Sequence, residues 1–311
     1  MSLTASVITP TRNRAAMLAR CLHYLSAQSL APDRYEILVV DDASTDETRT
    51  VVEAAVRTSR CAVRPLWLRE RRGVPGARNH AIREAHGDVI VFVDSDNFAA
   101  PSFLAAHVAI HEAHPNAVGR GPVILTRSYE QPFAVRGGLL DLTTAYFDTD
   151  NASVRRTHLD QVGLFDEVFS PYGWEGLDLG FRLRALGLRR VYRRDAALYH
   201  YHEEVSPESL EGLLTKEAER ARTAWLFYEK HPTLEARFAL QFTPFHLALN
   251  TAQRLFGLVG PGNVEACVRW ADRAGVPGLG RVLLSGVLNA HYLAHLLANG
   301  QMRPGSRAHG D

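Results

Sequence analysis

Two apolar runs in this chain end in acids that a buried strand cannot easily hold. Residues 90–97 read Ile-Val-Phe-Val-Asp-Ser-Asp-Asn, and residues 39–46 read Val-Val-Asp-Asp-Ala-Ser-Thr-Asp. A buried carboxylate is costly unless it is paired or faces a cation. Asp94 and Asp96, one residue apart at a strand's end, can offer oxygens to one divalent ion, and such hard ligands suit Mg2+ or Mn2+. The plainer reading is a turn or a helix cap, where Asp and Asn are favoured. Alone, the D-x-D pattern is a weak signal.

The elements that would position these acids alternate. Strands are expected at Ala5–Thr9, Glu36–Val40, Ala62–Leu68 and Val89–Val93, and helices at Ala15–Gln28, from Ser44-Thr45-Asp46-Glu47 to about Arg57, and at Pro75–His86. Strands apolar on both faces, separated by helices, imply a mostly parallel sheet covered on both sides. Ligands of such sheets sit beyond the carboxyl ends of the strands. That places Thr9–Arg14, Asp41–Asp46 and Asp94–Asn97 along one rim.

Four motifs then occur in order: Pro10-Thr11-Arg12-Asn13, Val40-Asp41-Asp42-Ala43-Ser44-Thr45-Asp46, Gly73-Val74-Pro75-Gly76-Ala77-Arg78-Asn79, and the strand ending Asp94-Ser95-Asp96. In this combination the chain resembles the family 2 glycosyltransferases. The resemblance implies an α/β GT-A fold with a Rossmann-like, mostly parallel central sheet. It also implies inverting transfer of a sugar from a nucleotide-diphosphate donor (a UDP-, dTDP- or GDP-sugar) with Mn2+ or Mg2+. Pro10, Thr11 and Arg12 would line the nucleoside pocket, and Asp41 or Asp42, with a slight preference for Asp42, would accept from the base or ribose. Arg78 would lie near the diphosphate or nucleoside. Asp94, Ser95 and Asp96 would meet the donor, with Asp94 and Asp96 contacting the ribose and the metal. Asp46 as a simple helix cap and Arg69, Arg71 and Arg72 as a solvated face are the plain alternatives.

The acceptor side follows. Val162-Gly163-Leu164-Phe165-Asp166-Glu167 resembles the family's G-G-F-D-E segment, and Tyr172-Gly173-Trp174-Glu175-Gly176-Leu177-Asp178 resembles its W-E-D-x-D segment. The second acid of that E-D pair, the usual base, is Gly176 here. Inverting transfer needs a carboxylate to take the acceptor proton, so Glu175 is the expected base and Asp178, one helical turn on, the second choice. First-turn acids also favour helix formation by themselves. Trp174 would stack on an acceptor sugar or pack in the core. Related enzymes place a histidine as third metal ligand near Leu198-Tyr199-His200-Tyr201-His202, and His200 matches better than His202. Asn151-Ala152-Ser153, in a run that also matches the family near the donor, spells a glycosylation acceptor that a cytoplasmic chain would not use. His107, His111 and His114 share a helix stripe but not the spacing of a zinc protease, so a solvated face is expected there.

The whole chain sets limits. With 311 residues, the expected organisation is a GT-A domain over 1–205 (donor half 1–117, acceptor half 118–205), a helical region over 206–302 and a flexible tail over 303–311. A net charge of +1 argues against nucleic acid as partner. Cys21, Cys61 and Cys267 show no disulfide or zinc spacing, which fits a cytoplasmic protein, at most at the inner face of a membrane. The expected acceptor is a carbohydrate or a lipid-linked molecule. The aromatic and basic mix of the C-terminal helices, with Arg220, Trp225, Phe227 and Phe245, suits either peripheral membrane docking or packing and homodimer formation. The competing functions are a non-catalytic sugar-nucleotide-binding scaffold, suggested by Gly176, and a sugar nucleotidyltransferase, whose Gly-rich phosphate loop is missing.

Overall fold

Alternating side chains of the central strands feed two separate cores. Val7, Ile37, Val39 and Val91 point to one, with Leu18, Leu22 and Leu25; Ile8, Leu38, Val40, Ile90 and Phe92 point to the other, with Ala81, Ile82 and Leu183. This is the period of two that a sheet buried on both faces requires. The computed structural model describes residues 4–135, 146–170, 172–201, 207–244, 246 and 259–301. His202, Phe245 and the tail over 303–311 lie outside the described residues.

The chain divides into two compact units, Met1–Pro171 with Glu175–Glu203, and Tyr172–Trp174 with Glu204–Asp311. In the first, β1 (Ala5–Thr11), α1 (Ala15–Ser26), β2 (Tyr35–Asp41), α2 (Thr48–Thr58), β3 (Ala62–Trp67), α3 (Gly73–Glu84) and β4 (Val89–Phe92) alternate as expected. Then come β5 (Asn97–Ala99), α4 (Phe103–Ala113), β6 (Ala117–Arg120), β7 (Val123–Thr126), β8 (Ala152–Arg155) and α5 (Arg156–Val162). The unit finishes with α6 (Glu175–Ala185), β9 (Arg189–Tyr192) and β10 (Leu198–Tyr201). The seven-stranded sheet runs β3-β2-β1-β4-β8-β6-β9, and a second sheet runs β5-β10-β7. Strands β1 to β4 pair in parallel, β8 runs against both β4 and β6, and β9 is parallel to β6. The carboxyl ends of β1, β2 and β4 therefore share one rim.

Helix α6 starts at Glu175 and ends where Gly187 takes a φ of +90°. There the Leu188 N–H reaches the Leu183 carbonyl and the Gly187 N–H the Arg184 carbonyl, the left-handed cap that glycine adopts without strain. The histidine stripe of α4 needs correction. His107 and His111 are buried, not solvated, and both bond Ser153 Oγ at 2.8 Å. His107 Nε2 also lies 3.0 Å from Asn151 Oδ1. Burial first, then nearby cations, push His107 down to about 4 and His111 to about 3, so both rings are neutral near pH 7. Asn151 is itself fully buried and donates to the Pro122 and Ala196 carbonyls, so the folded chain offers no glycosylation acceptor there.

The second unit holds α7 (Pro207–Lys230), α8 (Leu234–Ala239), α9 (Val264–Arg273) and α10 (Pro277–Gln301). Leu210, Val264, Val268, Leu284 and Val287 form a small core within it. Of the aromatic and basic residues for which either membrane docking or packing is expected, Arg220, Trp225 and Phe227 pack within the unit, while Phe238 on α8 is exposed. Phe227 is buried against Trp174, Trp225 Nε1 donates to the Leu296 carbonyl, and Arg220 lies over the Trp174 ring at 4.8 Å. Amphipathic side chains of this kind bury their apolar bodies while their polar tips find carbonyls and rings.

At the end of the main sheet away from the rim, Glu36 is fully buried. It accepts from Ser6 Oγ (2.7 Å), Arg64 Nη1 (2.8 Å) and the His86 N–H (2.7 Å). Burial opposes its ionisation, but these donors outweigh that and hold the carboxyl below its usual range. A depressed carboxyl stabilises the fold above its unfolded pKa, and the contribution disappears as pH falls through the folded value. Urea titrations of wild type should therefore lose stability on acidification below about pH 4. Glu36→Gln should cost about 1–3 kcal/mol at pH 7 and flatten that acid limb.

Candidate active site

The first two rim loops are stitched together by their own side chains. Asn13 takes a left-handed φ of 51° and Ala43 one of 58°. Asn13 N–H donates to Ser44 Oγ, and Asn13 Oδ1 accepts from the Thr45 N–H at 2.8 Å. Asp46 accepts from the Ala15 N–H (3.0 Å) with one oxygen and from the Thr48 N–H and hydroxyl with the other. Asp46 thus fastens the start of α1 to the start of α2. Thr11 is buried at the end of β1, with no protein partner for its hydroxyl; Arg12 beside it is exposed.

The paired acids after β2 take different parts. Asp42 accepts from the Arg72 N–H (2.6 Å) and the Gly73 N–H (3.0 Å), one oxygen each, at the start of α3. An anion there meets the unbonded N–H groups of the helix. Gly73 has a φ of +72°, which explains the glycine that opens its motif. Asp41 uses Oδ1 for the Ser44 N–H at 3.1 Å. Arg69, Arg71 and Arg72 are exposed.

Arg78 is the buried centre of the site. Its Nη2 donates to Asp94 Oδ1 at 2.8 Å and its Nη1 to Glu175 Oε1 at 3.3 Å, while the guanidinium lies 5.5 Å from the centre of the Phe165 ring. Next to it, Asn79 donates to the Phe165 carbonyl (2.9 Å) and Glu167 Oε1 (3.0 Å) and accepts from the Phe165 N–H (2.9 Å). The A-R-N and F-D-E motifs are therefore two sides of one contact. Asp178, also buried, is bound through Oδ2 by Arg182 Nε (2.9 Å) and Nη2 (2.6 Å). A Cβ at Gly176 would find only Thr149, at 3.4 Å, so a methyl group is accommodated there in ordinary contact. Trp174 has its ring within the helical unit, covered by Phe227, Tyr292 and Arg220, with no face left for a sugar.

Asp96 pairs with Arg14, and His200 Nε2 stands 3.6 Å from the same Asp96 oxygen. On its other side His200 Nδ1 is 3.8 Å from Asp150. Burial disfavours an imidazolium, but Asp96, then Asp150 and Asp94, raise His200 to about 9. Asp96 is held far below the ordinary carboxylate range, since bonds from His200 and Arg14 outweigh its burial. Asp150 is pushed well up by burial and by Asp94 and Asp148. Ser95 is buried in the intervening turn.

Asp150, Arg14 and Asn97 were not singled out in the sequence as site residues. Asp150 lies in an Asp-Thr-Asp-Asn run that reads as a turn, so no motif marks it. Asn97 is fully buried with both amide atoms unpartnered, and its Cα pairs with that of His200 across antiparallel strands, on the same face. Its position directly after the D-x-D pattern was the available signal.

The donor set suits a hard divalent cation chemically: Asp94, Asp96 and Asp150 are carboxylates crowded enough to disturb one another, with one imidazole beside them. Among the described residues no three such groups converge as a ready ligand cage, and Arg14 and protonated His200 supply the positive charge instead. A cation at Asp96 would compete with both.

The family model for glycosyl transferase family 2 matches residues 6–163, just over half of the chain. An uncharacterized glycosyltransferase of Bacillus subtilis (strain 168), YfnE, is 29% identical over 273 residues, covering 68% of each chain. The validoxylamine A glucosyltransferase of Streptomyces hygroscopicus subsp. limoneus is 29% identical over 269 residues, which is 74% of this chain but 57% of that one. The solved mannosyltransferase PcManGT from Pyrobaculum calidifontis, in complex with GDP-Man and Mn2+, superposes with a TM-score of 0.64 at 22% identity, over 96% of this chain and 87% of that one. The Asn79 clamp is testable without any substrate. Asn79→Ala strands the buried Phe165 N–H and should lower unfolding free energy by about 1–3 kcal/mol in urea titration.

Proposed function

The chain belongs to glycosyl transferase family 2 and is a glycosyltransferase with the GT-A fold, and we propose that it transfers a sugar with inversion from a nucleotide-diphosphate donor to an acceptor hydroxyl, assisted by a divalent cation. The observation that carries this reading is the Arg78 bridge, which ties Asp94, at the donor end, to Glu175, the acid nearest Gly176.

On the donor side, Pro10, Thr11 and Arg12 line the nucleoside pocket, and the unpartnered Thr11 hydroxyl is free to bond there. Asp41 is better suited than Asp42 to accept from the base or ribose, because both Asp42 oxygens are engaged by backbone N–H groups. This reverses the preference drawn from the sequence. Arg78 and Ser95 stand behind the diphosphate. Asp94, Asp96 and His200, with Asp150 beside them, would hold Mn2+ or Mg2+, which when bound would neutralise charge on the leaving diphosphate. PcManGT, with GDP-Man and Mn2+ in its structure, supports both the donor class and the ion.

On the acceptor side, Glu175 takes the proton from the attacking hydroxyl. Arg78 fixes one of its oxygens and so orients the carboxylate. Asp178 braces α6 through Arg182 and serves the fold more than the chemistry. The acceptor is a carbohydrate or lipid-linked hydroxyl in cell-surface polysaccharide, glycolipid or glycoconjugate synthesis. The named substrate of one relative, validoxylamine A, supports a small glycosylatable acceptor equally well.

The test is turnover of GDP-mannose, UDP-glucose and other nucleotide sugars, with and without Mn2+. Chelation with EDTA should abolish turnover, and Mn2+ should restore it. Glu175→Gln should lower kcat by about a hundredfold or more while thermal shift by the donor persists, whereas Asp178→Asn should lower Tm with kcat within a few-fold of wild type. Wild-type turnover by Glu175→Gln would remove Glu175 as base. Donor binding without turnover by the intact chain, on any acceptor offered, would favour a binding protein.

A further inference from the structure

Four of the large apolar side chains that the helical unit leaves in solvent gather at one place, while Leu234 and Phe238 on α8 and Leu297 near the end of α10 are exposed as well. Helix α9 ends in a tight turn, with Gly275 at a φ of +74° and the Val276 N–H bonded to the Ala271 carbonyl, and α10 begins two residues later. Around this turn Trp270 is 59% exposed, Val276 45%, Leu279 43% and Val282 62%. At 1.5 Å per helical residue all four lie within about 10 Å of the tip. Inward-facing Val264, Val268, Ala271 and Leu284 complete the hairpin's own core, so the exposed four are surplus to folding.

Arginines outnumber acids around the tip by three to two. Arg269, Arg273 and Arg281 are all exposed; Arg269 is shared with Glu265 at 2.8 Å, and Asp272 is half-buried. A water-facing Trp and three aliphatics ringed by arginines are a poor solution for a surface that meets only solvent. They match the boundary of a bilayer, where apolar groups sink about 5–10 Å and arginine stems reach back to anionic headgroups. No described helix is long and apolar enough to cross a membrane, so the contact would be shallow.

We propose that the tip of the α9–α10 hairpin is a membrane-inserting wedge that binds anionic lipid surfaces. Trp225 of α7 bonds the Leu296 carbonyl and meets the Phe242 ring, whereas Phe238 and Leu234 of α8 are exposed, so the four tip residues form the larger exposed apolar group. The wedge lies wholly within the helical unit and does not depend on which sugar the chain transfers.

The test is co-sedimentation of the intact chain with vesicles of phosphatidylcholine alone or mixed with phosphatidylglycerol. The expected result is binding to the mixed vesicles only, weakened by salt. It should fall roughly tenfold or more in a Trp270→Ser, Leu279→Ser, Val282→Ser variant whose thermal melt matches wild type, since these exposed side chains support no core. Arg273→Gln with Arg281→Gln should reduce binding to the anionic vesicles in the same assay. The proposal is overturned if the intact chain ignores anionic vesicles, or if the triple variant binds them as wild type does. It is also overturned if sedimentation velocity reveals a dimer that the triple variant abolishes, since the tip would then seat a second copy.

Discussion

A guanidinium buried in a protein must find anions, and the site is organised around that demand. Arg78 has no contact with solvent to speak of, and its two anions come from distant parts of the chain: Asp94 at the end of β4 and Glu175 at the head of α6. Removing both partners would leave a charge without compensation in a poorly polarisable interior, which is far more costly than the net worth of the pairing. The constraint therefore sets the distance between the donor end of the rim and the head of α6. Phe165 against the guanidinium, and Asn79 gripping Phe165 from below, extend it to a third segment.

The other rim loops are held by a different device. Backbone N–H groups that would face water at the starts of α1, α2 and α3 are taken up by Asp46 and Asp42, carboxylates that belong to the loop after β2. The site is thereby preorganised, since the polar groups that will meet a substrate need not be dragged into position on its arrival. The left-handed backbone at Asn13 and Ala43 is a measure of how firmly the two loops are pinned.

The readability of the sequence followed the strength of each local pattern. Strands β1 to β3 and their helices were legible because six- and seven-residue strands alternate with helices, and β4, only four residues long, because its unbroken apolar run leads straight into the D-x-D motif. Strands β5 to β8 and β10 were not, being three or four residues long and too short for a period to emerge. His107 and His111 read as a wet face because their partners, Ser153 and Asn151, are more than forty residues away. The same distance hid Asp150, which becomes a neighbour of His200 only once β8 has paired with β4. Trp225 and Arg220 were open to either a surface or a packed reading because side chains with polar tips can be satisfied indoors by carbonyls and rings, which a pattern of residue types does not reveal.

The buried histidine pair also determines where its protons are. Asn151 spends its amide hydrogens on two carbonyls, so its oxygen can only accept, and His107 must carry its proton on Nε2. Neutral His107 then accepts at Nδ1, which obliges the Ser153 hydroxyl to donate to it. That hydroxyl oxygen in turn receives the Nε2 proton of His111, and His111 Nδ1 is left bare, in agreement with its lack of any partner. The hydrogens all lean one way, from His111 through Ser153 and His107 to Asn151. A vibrational or nitrogen-resonance spectrum of this pair would therefore show one tautomer, frozen by a single amide beside Asp150.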